Sequence, residues 1–178
     1  ITTDTSSSGN AGSIFAKVGT LTLTNGAEIS SNSTGEATGA AGSILIQGLA
    51  SLANAVTVTD SSILTSAANT GQGGSIAVDA TSLTLNSATV SASVHNFDNT
   101  PGSSDGATVG LGNIALSASA MTMNGSNVTT ESSGSRNAGD ISINSKSVPG
   151  NTFEMWHSTM STSAALADGG NFGIYATN

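Results

Sequence analysis

The chain has 178 residues and a net charge of −8, with three Lys and Arg residues against eleven Asp and Glu residues. This balance argues against nucleic-acid binding and against an anionic membrane surface, because both need clustered cations. Only 8% of the residues are charged, 22 are Gly and none is Cys, so the composition departs from that of an ordinary enzyme and excludes disulfides and thiolate metal sites.

A short motif recurs along the chain: a Gly, one small polar residue, and an apolar residue that opens a strand-like run. Its occurrences are separated by 30, 32, 38, 27 and 31 residues. Such a period is typical of repeat architectures, in which each unit buries its apolar face against its neighbours. The motif predicts a single segment over residues 1–178 with no second domain. Its repeats open near Gly12, Gly42, Gly74, Gly112, Gly139 and Gly170.

Each repeat contains three short runs in which apolar residues occupy alternate positions. In the first repeat these runs include Ile14, Leu21 and Ile29, and later repeats keep the order. Because successive side chains of a strand point to opposite faces, each run predicts a short strand with one buried face. Three such strands in about thirty residues predict an all-β parallel solenoid with three short strands per coil.

The first two repeats place an apolar side chain on the outer face of their first strands. These residues are Phe15 and Leu45, which the alternation points away from the core. Together they are a candidate lateral apolar patch, although single exposed apolar residues are common on protein surfaces.

The longest repeat ends in a loop that gathers residue types scarce elsewhere in the chain. His95 and Phe97 supply an imidazole and an aromatic ring, and Asp98 and Asp105 supply two carboxylates. These groups suit contact with a sugar or a calcium ion, because hard cations prefer carboxylate and carbonyl oxygens. The other interpretation, which we favour, is a polar surface loop that ends in a turn at Pro101.

The fifth repeat carries about five extra residues before its second strand, as the second repeat also does. The strand that follows is unusual, because the alternation points Glu154 and Trp156 outward on a surface otherwise rich in Ser and Thr, and His157 follows them as a further candidate contact residue. An exposed Trp is suited to stacking on a sugar or anchoring a partner chain. Packing of the same Trp under the preceding Pro-Gly turn is the alternative.

The first and last residues fall within repeats and carry no recognisable capping segment. The chain starts on a third strand at Ile1 and ends just after a first strand that includes Ile174 and Tyr175. Open solenoid ends expose strand edges and apolar side chains. We therefore expect either that the chain is an excerpt of a longer protein or that copies stack end to end, with these three residues at the interface.

The strings Gly9-Asn10-Ala11-Gly12-Ser13-Ile14 and Gly19-Thr20-Leu21-Thr22-Leu23-Thr24-Asn25-Gly26-Ala27-Glu28-Ile29-Ser30 closely resemble repeats of filamentous haemagglutinin-like bacterial exoproteins, which use two-partner secretion. The likeness covers nearly the whole chain. It implies a right-handed parallel β-helix at the cell surface or outside the cell that serves adhesion, aggregation or biofilm structure. We thus expect about five coils with partial coils at both ends.

The function expected from these features is a structural or adhesive rod segment without catalysis, cofactor or metal. Its partners would be flanking coils or further copies of itself, and host or matrix glycans or other surface proteins, with no nucleic acid and no membrane insertion. A self-assembling filament subunit is the nearest alternative, followed by an ice- or carbohydrate-binding solenoid. A polysaccharide-degrading enzyme ranks last, because the acidic residues fall at different positions of the repeat and such enzymes need paired carboxylates.

Overall fold

The computed structural model describes residues 1–35, 38–68, 71–95, 112–134, 136–144 and 150–177. Within these residues the chain forms β-strands and no helix. The strands are β1 (Ile14–Lys17), β2 (Thr20–Leu23), β3 (Glu28–Ser33), β4 (Ile44–Gln47), β5 (Ala53–Thr59), β6 (Ser62–Ala68), β7 (Ile76–Asn86), β8 (Thr89–His95), β9 (Ile114–Asn124), β10 (Asn127–Ser132), β11 (Ile141–Ile143), β12 (Thr152–Trp156), β13 (Thr159–Ala164) and β14 (Phe172–Ile174).

The paired strands are parallel and form two sheets. The larger sheet has nine strands, with a main path β1-β4-β7-β9-β11-β14 that β2, β5 and β12 join from the side. The smaller sheet has five strands in the order β13-β10-β8-β6-β3. The chain is therefore all-β with a parallel-strand, solenoid-like architecture, and this arrangement is compatible with the β-helix that the repeats predict.

Strands that occupy the same place in successive repeats pair in register. The apolar residue of the recurring motif forms one continuous row across the larger sheet, Ile14, Ile44, Ile76, Ile114, Ile141 and Phe172. In the smaller sheet Ile29 pairs with Ile63, and the row continues through Val90. Neighbouring strands lie about 4.8 Å apart, and each row places apolar residues over one another at that spacing, so the apolar side chains form a column between the sheets.

This column is the core of the molecule. Its largest fully buried side chains come from all three predicted runs and from every repeat except the sixth: Ile29, Ile44, Ile46, Ile63, Ile76, Leu83, Leu85, Ile114, Leu116, Met121, Met123 and Ile141. Residues between them in sequence face outward and are half-buried or exposed, as the alternation predicts.

The three separate strands expected in each repeat are not separate in the third and fourth repeats. There the first and second runs form the continuous strands β7 and β9, each 11 residues long. In the first repeat β1 ends at Lys17 and β2 begins at Thr20, opposite the point where the partner strands β4 and β5 are themselves separate. The second and fifth repeats carry insertions at this point, which also separate the runs.

The motif glycines are required by the close stacking of repeats. A Cβ on Gly42 would collide with the carbonyl oxygen of Gly12, and a Cβ on Gly74 would collide with that of Gly42. Gly139 and Gly170 lie over the preceding motif glycines in the same way. A side chain at these four positions would force neighbouring strands apart, which explains why the motif opens with Gly in those repeats.

The corner between the second and third runs adopts a left-handed backbone in each of the first five repeats. The residues at this corner are Asn25, Asp60, Ser87, Gly125 and His157, with φ between 47° and 58°. Gly, Asn, Asp and His are the residues most often found in this conformation, so four of the five positions carry favourable residues. His157 is thus a corner residue of the fold as well as an exposed side chain.

Candidate binding site

A groove of about 280 Å³ lies across the ends of β8, β10 and β13 in the smaller sheet. His95 ends β8 and forms one side of the groove, residues 131–133 of β10 and its extension form the middle, and residues 163–165 form the other side. The groove therefore crosses three successive repeats, and parallel pairing sets the spacing between its walls.

The backbone of the groove is held by hydrogen bonds that continue the sheet past the strand ends. The amide of Ser133 donates to the carbonyl oxygen of Val94 over 3.0 Å, and the amide of Ala165 donates to that of Ser132 over 2.8 Å. These bonds determine which residues of neighbouring strands lie side by side in the groove. The chemistry that the groove offers to a ligand comes from its side chains.

Those side chains are one carboxylate, one imidazole, three hydroxyls and two methyl groups. Glu131 is exposed and lies in register between Ser93 and Ser163. His95 is exposed at the edge of the groove. Such a set can accept and donate several hydrogen bonds at once, and Glu131 makes the groove acidic.

Ser132 is the unusual member of this set. Its side chain is only 4% exposed, and its Oγ atom makes no hydrogen bond. The other residues of its row are Ser33, Ala67, Val94 and Ala164, and the Ser33 hydroxyl is likewise buried without a hydrogen bond. A buried hydroxyl without a partner costs about 1–3 kcal/mol, so both serines of this row are costly choices.

Only one residue of the loop site predicted from the sequence is among the described residues. His95 lies at the groove, whereas Phe97, Asp98 and Asp105 lie outside the described residues. Sequence reasoning missed Glu131 and Ser132. The alternation in β10 marks Ser132 as a polar residue at an inward position, but their proximity to His95 depends on strand register between repeats of unequal length.

The predicted contact residues of the fifth repeat lie on β12 and at the corner that follows it. Glu154, Trp156 and His157 are exposed, and Trp156 is 48% exposed. Trp156 pairs in register with Asn124, and its carbonyl oxygen accepts a hydrogen bond of 3.0 Å from the amide of Gly125. This group does not line the groove, so it is separate from His95, the described member of the predicted loop site.

The two residues of the predicted lateral patch are neighbours in the structure. Phe15 and Leu45 occupy adjacent strands in register. Phe15 is 68% exposed, whereas Leu45 is only half-buried between its neighbours.

The last repeats expose apolar side chains that earlier repeats bury. Met155 occupies the row of the buried Met123 but is 37% exposed, and Phe172 ends the row of Ile141 but is 49% exposed. Of the residues predicted at the ends, Ile1, Ile174 and Tyr175 are all exposed. Sequence reasoning named Ile174 and Tyr175 but missed Met155 and Phe172, which belong to the same exposed apolar surface by register.

Other classes of site are not found in this part of the chain. Among the described residues, no three His, Asp or Glu side chains are grouped so as to hold a metal ion. Glu28 and Asp60, the acids nearest to an aligned pair in sequence, are offset in the structure, because Glu28 pairs with Ser62 and Asp60 lies at the corner before it. None of the described residues forms a helix long and apolar enough to span a membrane.

Comparisons with protein-family models, with curated proteins and with solved structures find no match to this chain. The resemblance to filamentous haemagglutinin-like exoproteins therefore stays a prediction that depends on the motif residues themselves.

Proposed function

We propose that the chain is a structural and adhesive rod segment of a bacterial surface or secreted exoprotein of the filamentous haemagglutinin-like type. In this proposal the strands wind as a right-handed parallel β-helix with three strands per coil, about five coils and partial coils at both ends. The segment acts outside the cell, without catalysis or cofactor, and stacks on flanking coils or on further copies of itself.

The observation that carries this proposal is the unbroken register of the recurring motif across six repeats. A row of this kind gives an extended and stiff structure, because each repeat packs against the repeat before it and the repeat after it. The low charge and the outward Ser and Thr side chains suit a long, inert shaft.

A filament built from copies of this chain is the second candidate, and it would bury apolar side chains that are exposed among the described residues. Met155, Phe172 and Ile174 are apolar, and their register partners in the preceding repeat are buried in the core. Among the described residues, no further strand pairs with the other side of their strands. Burial of such side chains stabilises by roughly 25 cal/mol per Å² of apolar surface removed from water. Another coil in the same register would provide that burial.

Adhesion is tested with beads that carry the purified chain on their surface. The proposal expects such beads to attach to cells or matrix from the same habitat more than beads coated with an unrelated β-rich protein of similar acidity. Equal attachment of the two kinds of bead would contradict the adhesive part of the proposal. Sedimentation at increasing concentration of the same protein separates the filament alternative, which expects growing species that an Ile174→Asp variant loses.

A further inference from the structure

We infer that two copies of this chain pair side by side through the outer face of β1, β4 and β7, with their repeats in opposite order. This contact is lateral and therefore differs from the end-to-end stacking of the proposed function. The argument depends on an apolar row on this face, on a charged row beside it, and on how a twofold axis places each row over its own copy.

The first run carries an apolar residue at the same outward position in four successive repeats. These residues form one row in register, Phe15, Leu45, Ala77 and Ala115. Phe15 is 68% exposed, and the other three are half-buried. The second run has Thr at its matching outward position in all four repeats, so an apolar outer row is a particular property of this face.

The apolar row is complementary in shape to its own reversed copy. Its side chains become smaller from Phe15 through Leu45 to Ala77. A twofold axis that runs parallel to the strands over β4 places β1 of each copy over β7 of the other. Phe15 then lies over the small Ala77 of the other copy, and Leu45 lies over its own equivalent. Because the interface is isologous, the Phe15 contact is made twice.

A second row on the same strands changes sign along its length. Lys17 pairs in register with Gln47, and Asp79 continues this row because Val78 before it pairs with Ile46. Lys17 is exposed and Asp79 is half-buried, and neither side chain forms an ion pair with another described residue. Within one copy the two charged residues are two strand spacings apart, about 10 Å.

The twofold axis over β4 also brings these opposite charges together. It places Lys17 of each copy over Asp79 of the other, so the ion pair forms twice. Two copies with their repeats in the same order would instead place β1 over β1, where Lys17 meets its own equivalent. The charges therefore favour the opposite order.

The connection after β4 adds apolar surface beside the axis. Leu49 is 77% exposed and Leu52 is 45% exposed. Among the described residues of the first four repeats, the only other large apolar side chain that is exposed is Phe15. Because this connection directly follows β4, the same axis places the connections of the two copies next to each other.

The size of the face predicts weak pairing. Four strands about 4.8 Å apart, with four residues about 3.3 Å apart on each, span roughly 250 Å² per copy. A stable interface usually buries about 800 Å² per partner. The net charge of −8 also makes copies repel one another. We therefore expect a reversible dimer at high concentration, and stronger association where many copies lie in line.

Sedimentation equilibrium of the whole chain at concentrations up to about 1 mM tests the pairing. We expect a monomer–dimer equilibrium that Ile174→Asp leaves intact, because Ile174 lies on β14, away from the face. Phe15→Ser should weaken the dimer by about tenfold or more, since it removes the largest apolar contact. Phe172→Ser is the matched control, because Phe172 is also exposed but lies on β14, and it should leave the dimer unchanged.

Two charge variants test the order of the repeats. Lys17→Asp and Asp79→Lys should each weaken pairing by about tenfold, because like charges then face each other at both contacts. Asp79→Lys changes the net charge from −8 to −6, so general repulsion alone would predict tighter pairing for this variant. An equimolar mixture of the two variants should pair about as well as the unchanged chain, because each residue 17 then faces an opposite charge at position 79.

The inference is wrong if no dimer forms at the highest concentration, or if Phe15→Ser and Phe172→Ser weaken the dimer equally. It is also wrong if the mixture of charge variants pairs no better than either variant alone. Growth beyond a dimer that Ile174→Asp abolishes, with no dimer remaining, would show end-to-end stacking in place of the lateral pair. Circular dichroism melting of every variant verifies that the fold is unchanged.

Discussion

Buried hydroxyls tie the third run of a repeat to the motif glycines. Thr65 Oγ1 donates to the carbonyl oxygen of Gly74 over 3.0 Å, and Thr130 Oγ1 donates to that of Gly139 over 2.6 Å. Between these two threonines in register lies Ala92. A Cβ on Gly112 would lie only 3.0 Å from the Ala92 Cβ, so there is little room for a side chain at position 112. The third repeat therefore lacks the hydroxyl contact that Thr65 and Thr130 make in the repeats beside it.

Removing one of these hydroxyls should destabilise the fold measurably. Thr130→Val keeps the shape of the side chain but loses its buried hydrogen bond, so we expect the free energy of unfolding to fall by about 1–3 kcal/mol. Thr129→Val is the control on the outer face, where the hydroxyl bonds only the Ser91 hydroxyl over 3.2 Å, and should cost less than about 0.5 kcal/mol. Urea denaturation measures both, and equal losses would contradict a special role for the inward hydroxyl.

At the scale of strands, the spacing between repeats is limited by the motif glycines. Gly74→Ala should destabilise by more than about 3 kcal/mol, because its Cβ would collide with the carbonyl oxygen of Gly42. Gly19→Ala should be neutral or stabilising, since the nearest atom to a Cβ there is the Asn54 side-chain nitrogen at 4.0 Å. Thermal unfolding compares the two. Equal melting temperatures of the Gly74→Ala and Gly19→Ala variants would contradict the close contact between stacked glycines.

Most strands could be predicted from the sequence because alternation and the motif both recur. Ile76 and Leu83 lie at inward positions as the alternation predicts, but their runs form the single strand β7, which continues past Thr81 although Thr81 has no register partner in either neighbouring strand. The groove could not be predicted in this way. It joins His95 to Glu131, and that proximity follows from pairing across the longest repeat, whose loop residues give no periodic signal.

At the scale of the molecule, the core column should fail as a unit when one buried position is charged. Leu85→Asp places a carboxylate at a site that is 1% exposed, beside other apolar side chains with no partner for the charge. We expect loss of the cooperative unfolding transition seen by circular dichroism. Thr84→Asp, on the outer face of the same strand, should keep that transition. A Leu85→Asp chain that melts like the unchanged protein would contradict the stacked core.

The measurement that tests the central claim most directly is electron microscopy of intact source cells labelled with gold-tagged antibodies to this chain. The account predicts gold along thin rods or fibres outside the cell, without permeabilisation, because register-stacked repeats extend in one direction and the proposed role is extracellular. Gold found only inside permeabilised cells, or on compact particles, would contradict an extracellular structural rod.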